Sequence, residues 1–154
     1  MSSVEVNNEA PVGGFDAGVA GLTVSRDIMP QIPIEKIIYF GDTARVPYGG
    51  TLTETVARYS RQNIRFLRSQ QVKAIVVACN TASACALDEI EKEIDIPIIG
   101  VVKPGAKVAA QTTRNGKIGL IGTERTVANN IYTEYIEQIN KKAVLIAKAC
   151  PLFV

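Results

Sequence analysis

Apolar runs and helical stretches alternate along this chain, and that alternation restricts its fold more than any other feature. Six short runs rich in β-branched residues are expected as strands: Val12 to Phe15, Lys36 to Phe40, Lys73 to Ala78, Ile96 to Val102, Lys117 to Ile121 and Ala143 to Ala149. Between them, apolar residues recur at helical spacing. One helix is read from Leu22 to Met29. A second is capped by Thr53 and carries Val56, Tyr59, Asn63/Ile64 and Leu67. A third starts at Thr81 and carries Leu87, Ile90 and Ile94. A short alanine-rich helix with Pro104 in its first turn reaches about Thr113, and a last one has Val127, Ile131, Tyr135 and Ile139 as its apolar stripe. Asn115-Gly116 reads as a turn. Strands joined through helices pair in parallel with right-handed crossovers. The fold class is therefore α/β, a parallel sheet with helices on both faces.

The stretch VKAIVVACNTASACA, Val72 to Ala86, concentrates the chemistry. Its apolar run has the character of a strand buried on both faces. Cys79 stands where that strand ends and the next helix begins, which is where ligands bind in open α/β sheets. The helix N-terminus favours a thiolate by about 0.3–1 kcal/mol, up to ~2 when partly buried. The expected effect on Cys79 is a lowering of roughly one pKa unit. A free cysteine is also a common core residue, and Asn80 also reads as a simple N-cap. The polar Asn80-Thr81 pair indicates that the chain has left the core at that point.

Two other strand ends carry chemistry. Asp16-Ala17-Gly18-Val19-Ala20-Gly21 is a strand end, a glycine loop and a helix start. That arrangement can cradle an anion or serve only as a tight turn. The carboxylate of Asp16 argues against phosphate and suits holding an ammonium group or accepting a proton. The Gly41–Gly50 loop, GDTARVPYGG, is longer than most strand-to-helix connections. Its Pro-Tyr-Gly turn has a packed tyrosine as its plain structural reading. Arg58, Arg61, Arg65 and Arg68 read as a solvated helix face. Of the other cysteines, Cys85 lies about 240° round the helix from Cys79 and reads as core.

Composition removes several function classes. The chain has no histidine, which excludes histidine-based triads and most zinc sites. A net charge of +2 gives no nucleic-acid or membrane surface. There is no apolar run long enough to span a bilayer, and the first residues have no signal-peptide pattern. Three cysteines without framework spacing fit a reducing cytoplasm.

The segments FDAGVAGLTV, IIYFGDTARVPYGG, VVACNTAS, IPIIGVVKPGA, IGLIGTERTV and ACPLFV occur in this order. Together they resemble the glutamate racemase family from about Val12 onward. The resemblance implies a cofactor-independent, cytoplasmic enzyme that interconverts L- and D-glutamate for peptidoglycan synthesis, with no metal and a small-molecule substrate. It leaves a homodimer open. It implies two pseudo-symmetric α/β lobes with the site between them. Residues 1–11 are then a polar tail, 12–100 the first lobe, and 101–154 the truncated start of a second. By the same resemblance Cys79 is one catalytic acid/base, with Asp16 beside it. Asp16, Ala17, Tyr48, Gly49, Asn80, Thr81, Thr123 and Thr126 match substrate-binding positions. The second base belongs to a Cys-Thr-His motif far beyond residue 154, and Cys150 matches a strand end without that motif. Ala17 stands where the family pattern has serine, and Ala20 where it has glycine. GDTARVPYG points to glutamate. An aspartate racemase-like isomerase and a catalytically inactive amino-acid-binding fragment are the alternatives.

Overall fold

A computed structural model describes residues 9–153, so most of the tail assigned to residues 1–11 lies outside the described residues. The strands are β1 (Val12–Asp16), β2 (Ile37–Gly41), β3 (Ala74–Val77), β4 (Ile98–Gly100), β5 (Lys117–Gly122) and β6 (Val144–Ala149). The helices are α1 (Gly21–Ile28), α2 (Thr53–Ser69), α3 (Asn80–Ile90), α4 (Val102–Thr112), α5 (Glu124–Ala128) and α6 (Ile131–Ile139). All pairings are parallel. Four strands form one sheet in the order β2-β1-β3-β4, and β5 pairs with β6 in a second.

β1 is an inner strand, as is β3, despite Gly13 and Gly14, because pairing on both sides supplies what those residues lack in side chain. Its register sets Asp16 opposite Gly41 and Phe15 opposite Val77. Three strands thus end on one line, and their loops open on the same edge of the sheet.

The larger core lies on one face of that sheet. Phe15, Ile75 and Val77 meet Val56, Ile64 and Leu67 of α2 and Ala86, Leu87 and Ile90 of α3. Each fully buried aliphatic side chain of this kind contributes roughly 1.5–3 kcal/mol. The opposite face is covered less completely. There α1 packs on β1 and β2, Ala74 and Val76 are only half-buried, and Ile99 is 57% exposed. Burial of the Cys79 strand on both faces is therefore corrected: its apolar run alternates between a packed and a partly open face.

Other expectations are corrected locally. Thr53 is the first residue of α2 rather than its cap; Leu52 holds the cap position without a side-chain bond. α3 ends at Ile90, so Ile94 packs against the core from beyond the helix. The single helix expected through Val127 and Ile139 is two, α5 and α6, because Asn130 takes the left-handed conformation at φ 59°. Asparagine tolerates that region better than most residues. The break turns Ile136 inward and leaves Ile139 exposed. Other readings hold. Pro104 lies in the first turn of α4, and Gly116 closes its turn at φ 73°. Arg58, Arg65 and Arg68 are exposed, while the half-buried Arg61 pairs with Glu93 and Glu89.

The second sheet has its own small core. Ala106 and Ala110 of α4 and Ile136 of α6 pack with Ala143 against Ile118 and Leu145. Polar contacts tie the two halves together. Lys103 pairs with Asp88 at 3.0 Å, and the Tyr135 hydroxyl donates to the same carboxylate at 2.9 Å.

Candidate active site

The aligned strand ends open into one cavity of about 480 Å³, within the range of small-molecule sites. Asp16 and Ala17 reach it from the end of β1, Tyr48 and Gly49 from the loop after β2, and Cys79, Asn80 and Thr81 from the junction of β3 and α3. Thr123 closes it from the end of β5. Thr126 is the one sequence-derived site residue that does not line this cavity. It stands behind Thr81 and Thr123 and lines an adjoining cavity of about 410 Å³ together with Asn80 and Cys150.

Asp16 is 5% exposed. Its Oδ2 accepts hydrogen bonds from the backbone N–H groups of Gly18 and Gly21, both at 3.1 Å. The carboxylate therefore serves the start of α1, where Ala20 itself has no capping side chain. Gly21 makes this approach feasible, since a Cβ there would sit 2.6 Å from the Asp16 Cβ and 2.8 Å from that of Ala78. Tyr39 lies beneath, its hydroxyl donating weakly to the Gly18 carbonyl at 3.4 Å. Burial, with Asp16 and Cys79 nearby, pushes that phenol up to about 12.

Cys79, not Asn80, is the N-cap of α3: its Sγ accepts from the Ala82 N–H at 3.4 Å. The side chain is 6% exposed and Thr81 is buried too, so of the polar pair only Asn80 has left the core. The expected lowering of its pKa is reversed. Burial pushes the thiol up to about 11, and the Asp16 carboxylate adds to that, against the N–H groups of Ala82 and Ala17 that favour thiolate. Desolvation of the charged form outweighs the helix terminus. Cys85 points elsewhere, against the main core.

Three hydroxyls join the halves at the cavity wall. Thr81 Oγ1 lies 3.1 Å from Thr123 Oγ1 and 3.4 Å from Thr126 Oγ1, and the latter two are 2.9 Å apart. Thr123 caps α5 by accepting from the Thr126 N–H. Beside them Arg125 donates from its backbone to the Gly49 carbonyl at 3.2 Å and from Nε to the Thr51 carbonyl at 2.9 Å. Asn80 Oδ1 accepts from the Tyr132 hydroxyl at 2.6 Å. Tyr48 is fully buried, and its hydroxyl donates to Asp42. The phenol is therefore engaged inside the fold. Among the described residues no group of histidine, cysteine or carboxylate side chains has metal-binding geometry.

Sequence reasoning missed the apolar mouth formed by Val19, Val24 and Val46, and the buried partners of Tyr48. One signal was present for the latter: Asn63, a polar residue within an apolar helical stripe.

The assembly pairs a thiol with a carboxylate and surrounds both with backbone N–H groups and hydroxyls, a set suited to moving a proton on a small acid. Comparison with known proteins gives the same direction. The Asp/Glu/hydantoin racemase family matches residues 24–151. A glutamate racemase of Geobacter metallireducens is 51% identical over 93% of this chain, which covers 53% of that protein. The crystal structure of a glutamate racemase isoform from Bacillus anthracis superposes with a TM-score of 0.92 at 39% identity, over 96% of this chain and 55% of that one. The glutamate racemase of Francisella tularensis, crystallised with D-glutamate, gives 0.87 at 38% identity, over 94% and 54%. The chain spans about half the length of these relatives.

Proposed function

The chain belongs to the Asp/Glu/hydantoin racemase family, and from that membership we propose that it forms the amino-terminal part of a glutamate racemase. In this reading residues 12–100 are a first lobe and 101–154 the beginning of a second. The observation that carries it is the convergence of Cys79 and Asp16 on one cavity walled by the loops of both sheets. The substrate's ammonium docks beside Asp16. Its carboxylates take the free N–H groups of the first turn of α3, the Gly49 backbone and the Thr81 and Thr123 hydroxyls. Cys79 removes or returns the α-proton on one face of the substrate. A thiolate that forms reluctantly is a stronger base once formed, and a cation beside Asp16 favours its formation. The opposite face needs a second acid/base. Among the described residues, Cys79 is the one cysteine on this cavity.

A cytoplasmic location belongs to the same reading and fits three free cysteines. No described helix is long and apolar enough to cross a membrane.

The test is exchange in heavy water followed by chiral separation and mass spectrometry. A single thiol exchanges the α-proton on one face without inverting the centre. The purified 154-residue chain is therefore expected to introduce deuterium slowly into D-glutamate, by the family resemblance of the first-lobe cysteine, and none into L-glutamate. Optical rotation stays constant, and Cys79→Ala abolishes exchange. Robust racemisation by this chain would overturn the one-base assignment. A second reading, an amino-acid-binding domain without turnover, draws on Ala17, which leaves the cavity without the serine hydroxyl of the family pattern. Glutamate binding with no exchange at any pH would select it.

A further inference from the structure

Asp42 takes no part in the proton transfer proposed above, yet it is 3% exposed and lies at the centre of a buried polar network. Its backbone N–H donates to the Asp16 carbonyl at 2.9 Å, fixing it to the end of β1. Arg45 grips the carboxylate with two donors, Nε to Oδ1 at 2.9 Å and Nη2 to Oδ2 at 2.7 Å. The Tyr48 hydroxyl donates to Oδ2. Asn63, buried on α2, donates to the Tyr48 hydroxyl at 3.1 Å and accepts from Arg45 Nη2 at 3.0 Å. The Arg45 guanidinium also stacks 4.3 Å above the Tyr59 ring, which packs against Tyr48. No buried side-chain polar atom among the described residues lacks a partner.

Asp42, Arg45, Asn63 and Tyr59 do not line the cavity, but the residues on either side of Tyr48 do. Pro47 and Gly49 both line it. Directional bonds fix one geometry, whereas an apolar plug of similar volume would supply comparable stability without that constraint. We propose that the Asp42–Arg45–Asn63 network is a positioning device: it holds Tyr48 by its hydroxyl and so fixes residues 46–50, with the Gly49 backbone, at the height where a ligand carboxylate is bound. The ligand part of this inference rests on the glutamate reading; the mechanical part does not. Loosening Gly49 removes a binding contact, so the expected effect is on ligand affinity.

Two readouts on the purified chain separate these parts: amide hydrogen exchange, resolved to residues 46–50, and calorimetric titration with glutamate. Tyr48→Phe keeps the ring and removes only the tether. It should accelerate exchange at 46–50 about tenfold or more, leave β3 and α3 amides unchanged, and raise the glutamate Kd about tenfold, as expected for one hydrogen bond. Asp42→Asn, which retains an acceptor for the hydroxyl, should fall between Tyr48→Phe and the parent chain. Unchanged exchange at 46–50 would overturn the proposal, whatever the protein binds. A lowered Tm with unchanged Kd would also overturn it, reducing the network to a source of stability. Accelerated exchange in a protein whose parent form binds no glutamate would uphold the device and overturn the functional reading alone.

Discussion

A thiol that is almost wholly enclosed beside a carboxylate rests in its protonated form. With Cys79 pushed up to about 11, the thiolate fraction at pH 8 is about one in a thousand. Iodoacetamide at that pH should modify Cys79 more slowly than an exposed model thiol, and the rate should climb until about pH 11. A plateau near pH 8.5 would contradict the burial argument. The same shift couples to stability. Below about pH 8.5 the thiol keeps its proton in both folded and unfolded chains. Between there and about pH 11 only the unfolded chain releases it, so stability falls as pH rises. The loss levels off above the folded value at about 3 kcal/mol. Melts at pH 8 and 10.5 should show a smaller drop for Cys79→Ala than for the parent chain. At the neighbouring position, Ala17→Ser restores a hydroxyl at the cavity beside the thiol. It should raise proton exchange on glutamate about 5-fold or more, a hydrogen bond's worth in the transition state. The position of Cys79 could be read from sequence, because a strand followed by a polar helix start fixes it. Its acidity could not, because burial depends on how the junction of β3 and α3 packs beside Asp16 and Ala17 at the end of β1.

Two elements meet at Gly49. A Cβ at that position would lie 2.6 Å from the Thr123 Cβ, so the loop after β2 and the loop after β5 touch only because residue 49 has no side chain. Gly49→Ala should force them apart, costing about 1–3 kcal/mol by overpacking and weakening glutamate binding. Thermal melts and calorimetry check both. The hydroxyl cluster gives a milder test. Thr126→Val keeps the shape of a buried side chain and deprives Thr81 and Thr123 of a partner. It should cost about 1–3 kcal/mol, or a few degrees in Tm for a chain this size. Strand and helix order were legible because each strand run is continuous and each helix periodic. The division of α5 from α6 was not. The stripe from Val127 to Ile139 continues across Asn129-Asn130 in sequence, and only the left-handed Asn130 interrupts it. Asn63 shows the converse: its place in an apolar stripe was visible, but its partners, Asp42 and Tyr48, come from a loop whose path the sequence does not give.

At the scale of the whole molecule, the second sheet is covered by α4 and α6 on one side. On the other, Ile121, Val144 and Ile146 are each more than half exposed, with Ile146 at 65%. Such a face on two strands promotes self-association. Ile146→Lys should shift light scattering of the purified chain toward monomer without lowering Tm by more than about 0.5 kcal/mol equivalent. The order of the first sheet has a consequence of another kind, in the timing of synthesis. β1 is made before the rest of its sheet, and its neighbours are β2 and β3, the latter ending at Val77. At translation speeds of about 5–20 residues per second, Asp16 waits roughly 3–12 s before the strand that leads into Cys79 exists to pair beside it. Until then β1, with two glycines and one flank unpaired, is an exposed nascent strand. Slow codons between β2 and β3 would lengthen that interval, making yield sensitive to nucleotide changes that leave every amino acid in place.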